Sequence, residues 1–162
     1  MELFPHTIFW SEAFELEKKR ISSELAVYLP TIEHIGSTAI IGIASKPIID
    51  IAVGLPKYDF AELAIQKLAN LGYSSRGFRS DGLGTILELK DGKNRTHCIH
   101  LLDMSKPRWD DCIFFRDTLQ NNSKLRTEYQ DLKKELSQKY KNDRQKYTQE
   151  KNIFVGRILA MR

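Results

Sequence analysis

Residues 33–54, EHIGSTAIIGIASKPIIDIAVG, contain the features that decide the fold. A strand-like run ends at Gly36-Ser37, a short connector reaches Lys46, and a nearly continuous apolar run extends from residue 48 to residue 55. An apolar run of this length between turn residues predicts a central strand that is buried on both faces. Asp50 is the one carboxylate in that strand, and a carboxylate is costly to bury without a partner. Its position therefore suggests a function.

The sequence leaves two explanations of this arrangement open. A Gly-Ser turn after a strand can present backbone N–H groups and a hydroxyl to a phosphate. Asp50 on the next strand would then hold Mg²⁺ or Mn²⁺ against that phosphate, and Lys46 would supply further positive charge. Alternatively, Gly36 and Ser37 form an ordinary tight turn, and Asp50 makes a structural ion pair with Arg95 or Lys46.

A second polar cluster lies in NRTHCIHLLD, residues 94–103, which reads as another interior strand. Strand alternation places Cys98 and His100 on one face and His97 on the other. If this strand lies beside the strand with the carboxylate, Arg95, His97 and His100 can converge on one pocket with it. The alternative is that both histidines are hydrogen-bonded core residues.

The rest of the chain alternates between helical and extended patterns. Apolar spacing predicts helices at about 8–29 and 59–71 and from Trp109 onward, with breaks at 121–123 and 142–143, and strands at 31–35, 48–55 and within 73–102. Ser11 and Ser123 are candidate N-caps, and Asp91-Gly92 is a hairpin turn. This order predicts one domain over residues 1–162, an α/β (α+β) fold with a small, partly antiparallel mixed sheet flanked by helices.

Composition narrows the cellular setting. Two cysteines, Cys98 and Cys112, outside any C-x-x-C pair favour a reducing cytoplasm over a disulfide framework. The N-terminal segment has an acidic residue, Glu2, and no signal-peptide pattern, and nothing approaches the roughly 18 consecutive apolar residues of a membrane span. We therefore expect a cytoplasmic protein with no membrane association. The sequence sets no oligomeric state.

The net charge is +4, and its excess lies late in the chain, where Lys and Arg outnumber Asp and Glu from Ser123 to Arg162. The excess is typical of a solvated helix face, and it is also compatible with attraction for a phosphate-bearing ligand. A nucleic-acid partner is disfavoured because no clustered basic-aromatic stripe is present.

Four segments resemble the GrpB family in the right order over nearly the whole chain. EHIGSTAIIGIASKPIIDIAVG is similar to the family signature HIGSTAVPGLxAKPIIDIxV, and RTHCIHLL is similar to its RxHHLHV-like strand. FFRDTLQNNSKLRTEYQDLKKELSQKY and YTQEKNIFVGRIL resemble its C-terminal FRDYLR…Y…LK…L and Y…K…F motifs. Ile41, where the family often has proline, and Cys98, where it often has histidine, depart from these patterns.

The resemblance implies a nucleotidyltransferase-like fold. Enzymes of that superfamily transfer a nucleoside monophosphate from a nucleoside triphosphate to an acceptor with two metal ions. Gly36 and Ser37 would bind the triphosphate and Asp50 would ligate metal. The superfamily's usual Asp-x-Asp pair is missing, because Ile48 and Ala52 stand two residues from Asp50.

Three hypotheses follow for the function. The first is binding of a nucleotide or another phosphorylated small molecule by Gly36, Ser37, Lys46, Arg95 and His97. Metal-dependent nucleotidyl or phosphoryl transfer is then possible, with Asp50 on the metal and His34 or His100 transferring protons. The second is a non-catalytic binding or accessory module that has lost the two-metal centre. The third, which ranks well below the others, is nucleic-acid binding by the basic C-terminal helices.

Overall fold

A computed structural model describes residues 2–162, which form one five-stranded sheet with helices on both faces. The strands are β1 (Thr31–Ile35), β2 (Ile49–Leu55), β3 (Ser74–Phe78), β4 (Thr85–Asp91) and β5 (Asn94–Asp103). The helices are α1 (Phe9–Glu24), α2 (Ala61–Ala69), α3 (Pro107–Asn121), α4 (Ser123–Lys139) and α5 (Arg144–Leu159). None of these helices is both long enough and apolar enough to cross a membrane.

The sheet has the strand order β1-β2-β5-β4-β3. Strands β2 and β5 are parallel, and the other neighbouring pairs are antiparallel, so the predicted α/β fold with a mixed sheet is confirmed. Asp50 pairs with Cys98, and Ala52 pairs with His100, across the β2–β5 ladder. Paired residues in adjacent strands point to the same face, so the ladder places Asp50 and His100 together.

Helices α1 and α2 cover one face of the sheet. Ile51, Val53, Ile99 and Leu101 are fully buried there and belong to the same cluster as Ile21 of α1. Along β2 and β5 these residues alternate with a mixed set that includes Asp50, Ala52 and His100, so both strands are apolar on this face and mixed on the other. The α1–α2 face is therefore a hydrophobic core.

Helices α3, α4 and α5 lie on the opposite face. Leu119, Tyr129 and Ile158, one from each helix, are buried in one cluster with Ile40 from the connector between β1 and β2. The rings of Tyr129 and Phe154 stack with centroids 5.0 Å apart. This packing brings the basic C-terminal helices over the Gly-Ser turn.

Both predicted serine caps are wrong. Helix α1 begins at Phe9, and the Ser11 hydroxyl donates instead to the Ile8 carbonyl oxygen at 2.9 Å. The cap of α4 is Asn122, whose Oδ1 accepts from the Leu125 N–H at 3.0 Å. Neighbouring polar residues compete for a cap position because any short oxygen-bearing side chain can fill it. The predicted hairpin turn at residues 91–92 is confirmed between β4 and β5.

Candidate functional site

Asp50 lies where β2 faces the three C-terminal helices. Its side chain is 33% exposed, and its Oδ1 lies 3.4 Å from the Nε2 of His100. Cys98 is its neighbour in register on β5. Asp50 therefore borders solvent at the end of a buried strand, which relieves much of the cost of burying a charge.

Gly36 makes room for this carboxylate. A Cβ at position 36 would lie 2.7 Å from the Oδ2 of Asp50, and Gly36 has φ +72 and ψ −173. Only glycine adopts that backbone region without strain. The glycine thus allows the β1 turn to approach the Asp50 side chain closely, and Ser37 begins a short 3₁₀ turn directly after it.

Two cavities meet at Asp50, and both are also lined by Ser37 and Lys151. The first, which we call the cationic cavity, has a volume of about 200 Å³ and includes five basic side chains: Lys46, Arg95, Lys133, Arg144 and Lys151. The second, which we call the aromatic cavity, has a volume of about 250 Å³ and includes Phe115, Tyr129, Val155, Leu159 and His100.

The cationic cavity has an excess of positive charge. Arg95 is neutralised by Glu88, whose Oε2 lies 2.8 Å from the Arg95 Nε. Within residues 2–162, no carboxylate lies within 4.0 Å of the charged groups of the other four basic side chains. The alternative ion pair of Asp50 with Arg95 or Lys46 is therefore not formed. Four cations face one carboxylate.

Lys133 is the most buried of these cations. Its residue is 4% exposed, and its Nζ donates to the Ala44 carbonyl oxygen at 2.9 Å. Burial lowers the pKa of Lys133 to about 7, and the positive charges of Lys151 and Lys46 add to this effect while Asp50 opposes it. The pKa of Lys46 is also lowered, first by burial and then by nearby cations. The cations are thus close enough to repel one another.

Arg79 sets the hydrogen-bonding state of His100. Its Nη1 contacts the Nδ1 of His100, and its Nε contacts Asp81 at 3.3 Å. A guanidinium can only donate, so Nδ1 accepts and the imidazole carries its proton on Nε2. Nε2–H then points toward Asp50. His100 therefore acts as a donor to the carboxylate.

The residues around Asp50 do not fit a two-metal centre. The possible ligand atoms of Asp50, Cys98 and His100 lie within 4.8 Å of one another. Burial, followed by the Asp50 charge, raises the pKa of Cys98 to about 12, so its thiol is protonated in the absence of a metal ion. The Nε2 of His100 also carries a proton. One hard oxygen ligand remains, and a two-metal centre needs carboxylates that hold two cations about 3.5–4 Å apart.

His34 and His97 lie on the other side of the sheet. The ring of His34 stacks on Phe14 of α1 at 4.7 Å, and its Nε2 lies 2.9 Å from the Thr38 hydroxyl. Burial lowers the pKa of His34 to about 4. Burial also lowers the pKa of His97, with Glu17 and Arg20 of α1 as its charged neighbours. The expected convergence of His97 with the Asp50 cluster is wrong, because strand alternation turns it away.

Sequence patterns did not single out Lys133, Arg144, Lys151 or Arg79. Lys133, Arg144 and Lys151 belong to the excess of basic residues late in the chain. Attraction for a phosphate-bearing ligand was one of two interpretations that the sequence left open for that excess. Lys133 and Lys151 also fall within the segments that resemble the GrpB family, and that resemblance is the signal that could have found them. Arg79 had none, since its role depends on the fold of the loop between β3 and β4.

The fold is of the nucleotidyltransferase-like class. The structure of Cid1 in complex with the UTP analogue UMPNPP matches with a TM-score of 0.56 at 13% identity, over 83% of this chain and 42% of that chain. At this identity the match shows the fold alone. The mixed sheet, with a Gly-Ser turn after β1 and Asp50 on β2, agrees with the fold that the sequence resemblance implied.

The chain belongs to the GrpB family, whose model, described as GrpB protein, matches residues 1–161. Glutamate-rich protein GrpB of Alkalihalophilus pseudofirmus is 36% identical over 161 residues, which cover 97% of this chain and 92% of that protein. The crystal structure of conserved protein GrpB from Enterococcus faecalis matches with a TM-score of 0.88 at 28% identity, over 99% of this chain and 96% of that chain.

Proposed function

We propose that this protein binds a nucleotide or another phosphorylated small molecule at Asp50 and Ser37. The observation that supports the proposal most strongly is the charge of the cationic cavity, where four basic side chains that form no ion pair within residues 2–162 face one carboxylate. Uncompensated charges in a partly buried site are unfavourable, and phosphate groups are common partners of Lys and Arg in proteins.

The two cavities suggest how such a ligand lies. Its phosphates occupy the cationic cavity next to Ser37, and its less polar part enters the aromatic cavity beside Phe115 and Val155. Ligand sites commonly combine an apolar wall with a few placed polar groups. Lys46 and Arg95, which line the cationic cavity, contact the phosphates, whereas His34 and His97 act structurally on the α1 side.

Isothermal titration calorimetry tests the proposal. ATP, GTP, CTP and UTP are titrated separately, with and without Mg²⁺ or Mn²⁺, into the wild type and into Lys151→Ala and Lys124→Ala. Lys124 is an exposed lysine of α4 outside both cavities and controls for the loss of one charge. We expect binding of at least one nucleotide that weakens in Lys151→Ala alone. Absence of heat with every nucleotide in every condition would overturn the proposal.

Nucleotidyl or phosphoryl transfer is a second candidate, favoured by the pair of Asp50 and His100 beside Ser37. The donor set permits at most one Mg²⁺ or Mn²⁺, held by Asp50 together with the ligand's own phosphates. Mass spectrometry of nucleotide mixtures incubated with the protein and with Asp50→Asn tests this candidate. A product that forms only with the wild type supports transfer. Binding without any product supports the non-catalytic module instead.

A further inference from the structure

Lys133 is a basic side chain that reaches the cationic cavity from inside the protein. It starts on α4, lies under the ring of Tyr129 with Nζ 5.5 Å from the centroid, and lines the cavity together with Asp50. An ammonium has three donors, and the Ala44 carbonyl oxygen accepts one of them. A lysine that is 4% exposed gives up most of its hydration. Such a lysine either gives up its proton or is compensated by an anion.

Asp50 alone does not compensate for these cations. Lys46, Lys133, Arg144 and Lys151 against Asp50 leave a formal excess of three positive charges when all are ionised. Burial is the first cause of the lowered pKa values of Lys46 and Lys133, and the neighbouring cations lower them further. An orthophosphate carries between one and two negative charges near neutral pH. A chain of two or three phosphates matches the excess better.

The same groups disfavour a divalent cation. A metal ion in the cationic cavity would have one carboxylate to bind and four positive side chains to repel it. In two-metal enzymes the cations neutralise the charge of a triphosphate. In this cavity, ammonium and guanidinium groups already lie around the space that the phosphates would occupy.

We propose that the ligand is a di- or triphosphate, and that Lys46, Lys133 and Lys151 bind its phosphate chain without a divalent metal ion. This inference rests on the proposed function and deepens it by naming the phosphate class and by replacing the metal with lysines. Arg144, which is exposed, also lines the cavity.

The test uses inorganic triphosphate, pyrophosphate and orthophosphate as probes for calorimetry. The buffer is depleted of metal with a chelating resin, because a dissolved polycarboxylate chelator could itself occupy a cationic site. We expect triphosphate and pyrophosphate to bind at least about tenfold more tightly than orthophosphate, since each added charge-assisted hydrogen bond is worth about a factor of ten. Adding Mg²⁺ should leave the affinity unchanged or weaken it.

Matched variants assign the effect to the lysines. Lys133→Met and Lys151→Met are each expected to weaken triphosphate binding about tenfold or more, because a charge-assisted hydrogen bond is lost. Lys124→Met on the exposed surface of α4 should bind like the wild type. Should Lys133→Met fail to fold by circular dichroism, Lys46→Ala and Lys151→Met carry the test, since both residues are partly exposed.

The outcomes separate the two proposals. Binding of triphosphate or ATP only in the presence of Mg²⁺ or Mn²⁺ would overturn the lysine inference and leave the proposed function intact. Equal affinity for orthophosphate and triphosphate would overturn the assigned ligand class. Absence of binding by every phosphate and nucleotide, with and without metal, would overturn both proposals.

Discussion

The two faces of the sheet use the same kinds of residues for different purposes. On the α1–α2 face, His34 stacks on Phe14 and His97 lies near the Glu17–Arg20 pair, within a hydrophobic core. On the α3–α5 face, His100 donates to Asp50 at the junction of two cavities. The difference follows from strand alternation, which turns neighbours along one strand to opposite sides.

This contrast shows that a histidine in a strand cannot be assigned a role from its type alone. His97 and His100 are three residues apart on β5, and only His100 faces the side where the C-terminal helices supply cations that lack a carboxylate partner in the described part of the chain. The charged environment, rather than the imidazole, distinguishes the face with the candidate site. The predictions that follow test this distinction one face at a time.

Gly36→Ala should have the largest effect on stability. The α3–α5 face of the sheet, which we call the site face, depends on the close approach of the turn after β1 to Asp50. The new Cβ would meet the Asp50 Oδ2 at 2.7 Å and would hold a strained backbone at φ +72. We expect the free energy of unfolding to fall by about 3 kcal/mol, measured by urea denaturation.

Gly42→Ala is the matched control for this prediction. Gly42 also has positive φ, at +88, but a Cβ at this position would have no neighbour within 4 Å, so strain alone should lower the free energy of unfolding by about 1 kcal/mol. Asp50→Ala in the Gly36→Ala background should recover part of the loss. Equal losses for the two glycine variants would mean that the approach to Asp50 is not what requires glycine.

Sequence patterns predicted β1, β2 and most of β5, and they placed His100 near Asp50 on the condition that β2 and β5 are neighbours, which the structure shows. Apolar runs located β2 and β5, and the Asp91-Gly92 turn located the hairpin before β5, because strand burial and turn chemistry are local properties. Strands β3 and β4 were predicted only as fragments within residues 73–102. The cationic cavity was not predictable in this way. Lys133 meets Ala44, 89 residues away along the chain, through the packing of α4 on the connector after β1. No local pattern encodes that contact.

Phosphate binding on the site face should depend on pH through Lys133. Its pKa of about 7 means that above this pH the side chain is largely neutral and must take up a proton to bind an anion. Triphosphate affinity should therefore fall as pH rises above 7, by up to about tenfold per pH unit for one coupled proton. Calorimetry at several pH values, in buffers of different ionisation enthalpy, measures both the affinity and the proton uptake.

Lys133→Met is the variant that sharpens this prediction. The slope of the logarithm of the affinity against pH, which counts the protons taken up on binding, should decrease by about one in this variant. A residual slope is expected from Lys46. Burial is the first cause that lowers its pKa, the charges of Arg144, Lys151 and Arg95 lower it further, and Asp50 raises it. An identical slope in the wild type and in the variant would exclude Lys133 as the titrating group.

The loss of stability between pH 6.5 and 4 should arise on the α1–α2 face of the sheet, which we call the core face. Burial lowers the folded-state pKa of His34 from 6.5 to about 4, so the unfolded chain binds more protons in this window. The contribution of neutral His34 to the free energy of unfolding is therefore fully present above pH 6.5 and is lost as pH falls toward 4. We expect His34→Gln to reduce this loss by about 2 kcal/mol in urea denaturation series.

Glu88→Gln provides the control on the site face. A hydrogen bond from Lys90 is the largest cause that holds the pKa of Glu88 at about 2, and this is opposed by burial and reinforced by Arg76 and Arg95. The contribution of ionised Glu88 to the free energy of unfolding is lost only below pH 4.5, as pH falls toward 2. The variant should lower stability throughout without changing the slope between pH 5 and 6.5. A flattened slope there would reassign the sensitivity to the site face.

Arg79→Met should have the smallest effect on stability and a specific effect on His100. Removing the contact of Arg79 with the Nδ1 of His100 frees the imidazole to change tautomer. The effect on stability is small because the ion pair of Arg79 with Asp81 is worth less than about 1 kcal/mol. Nitrogen-15 NMR of the wild type should show the proton on Nε2, and the variant should show both tautomers. Arg76→Met, which loses a contact with Glu88 instead, should keep the wild-type tautomer. A proton on Nδ1 in the wild type would make His100 an acceptor toward Asp50 and would restore its Nε2 as a potential metal ligand, so this small change decides how the carboxylate is held.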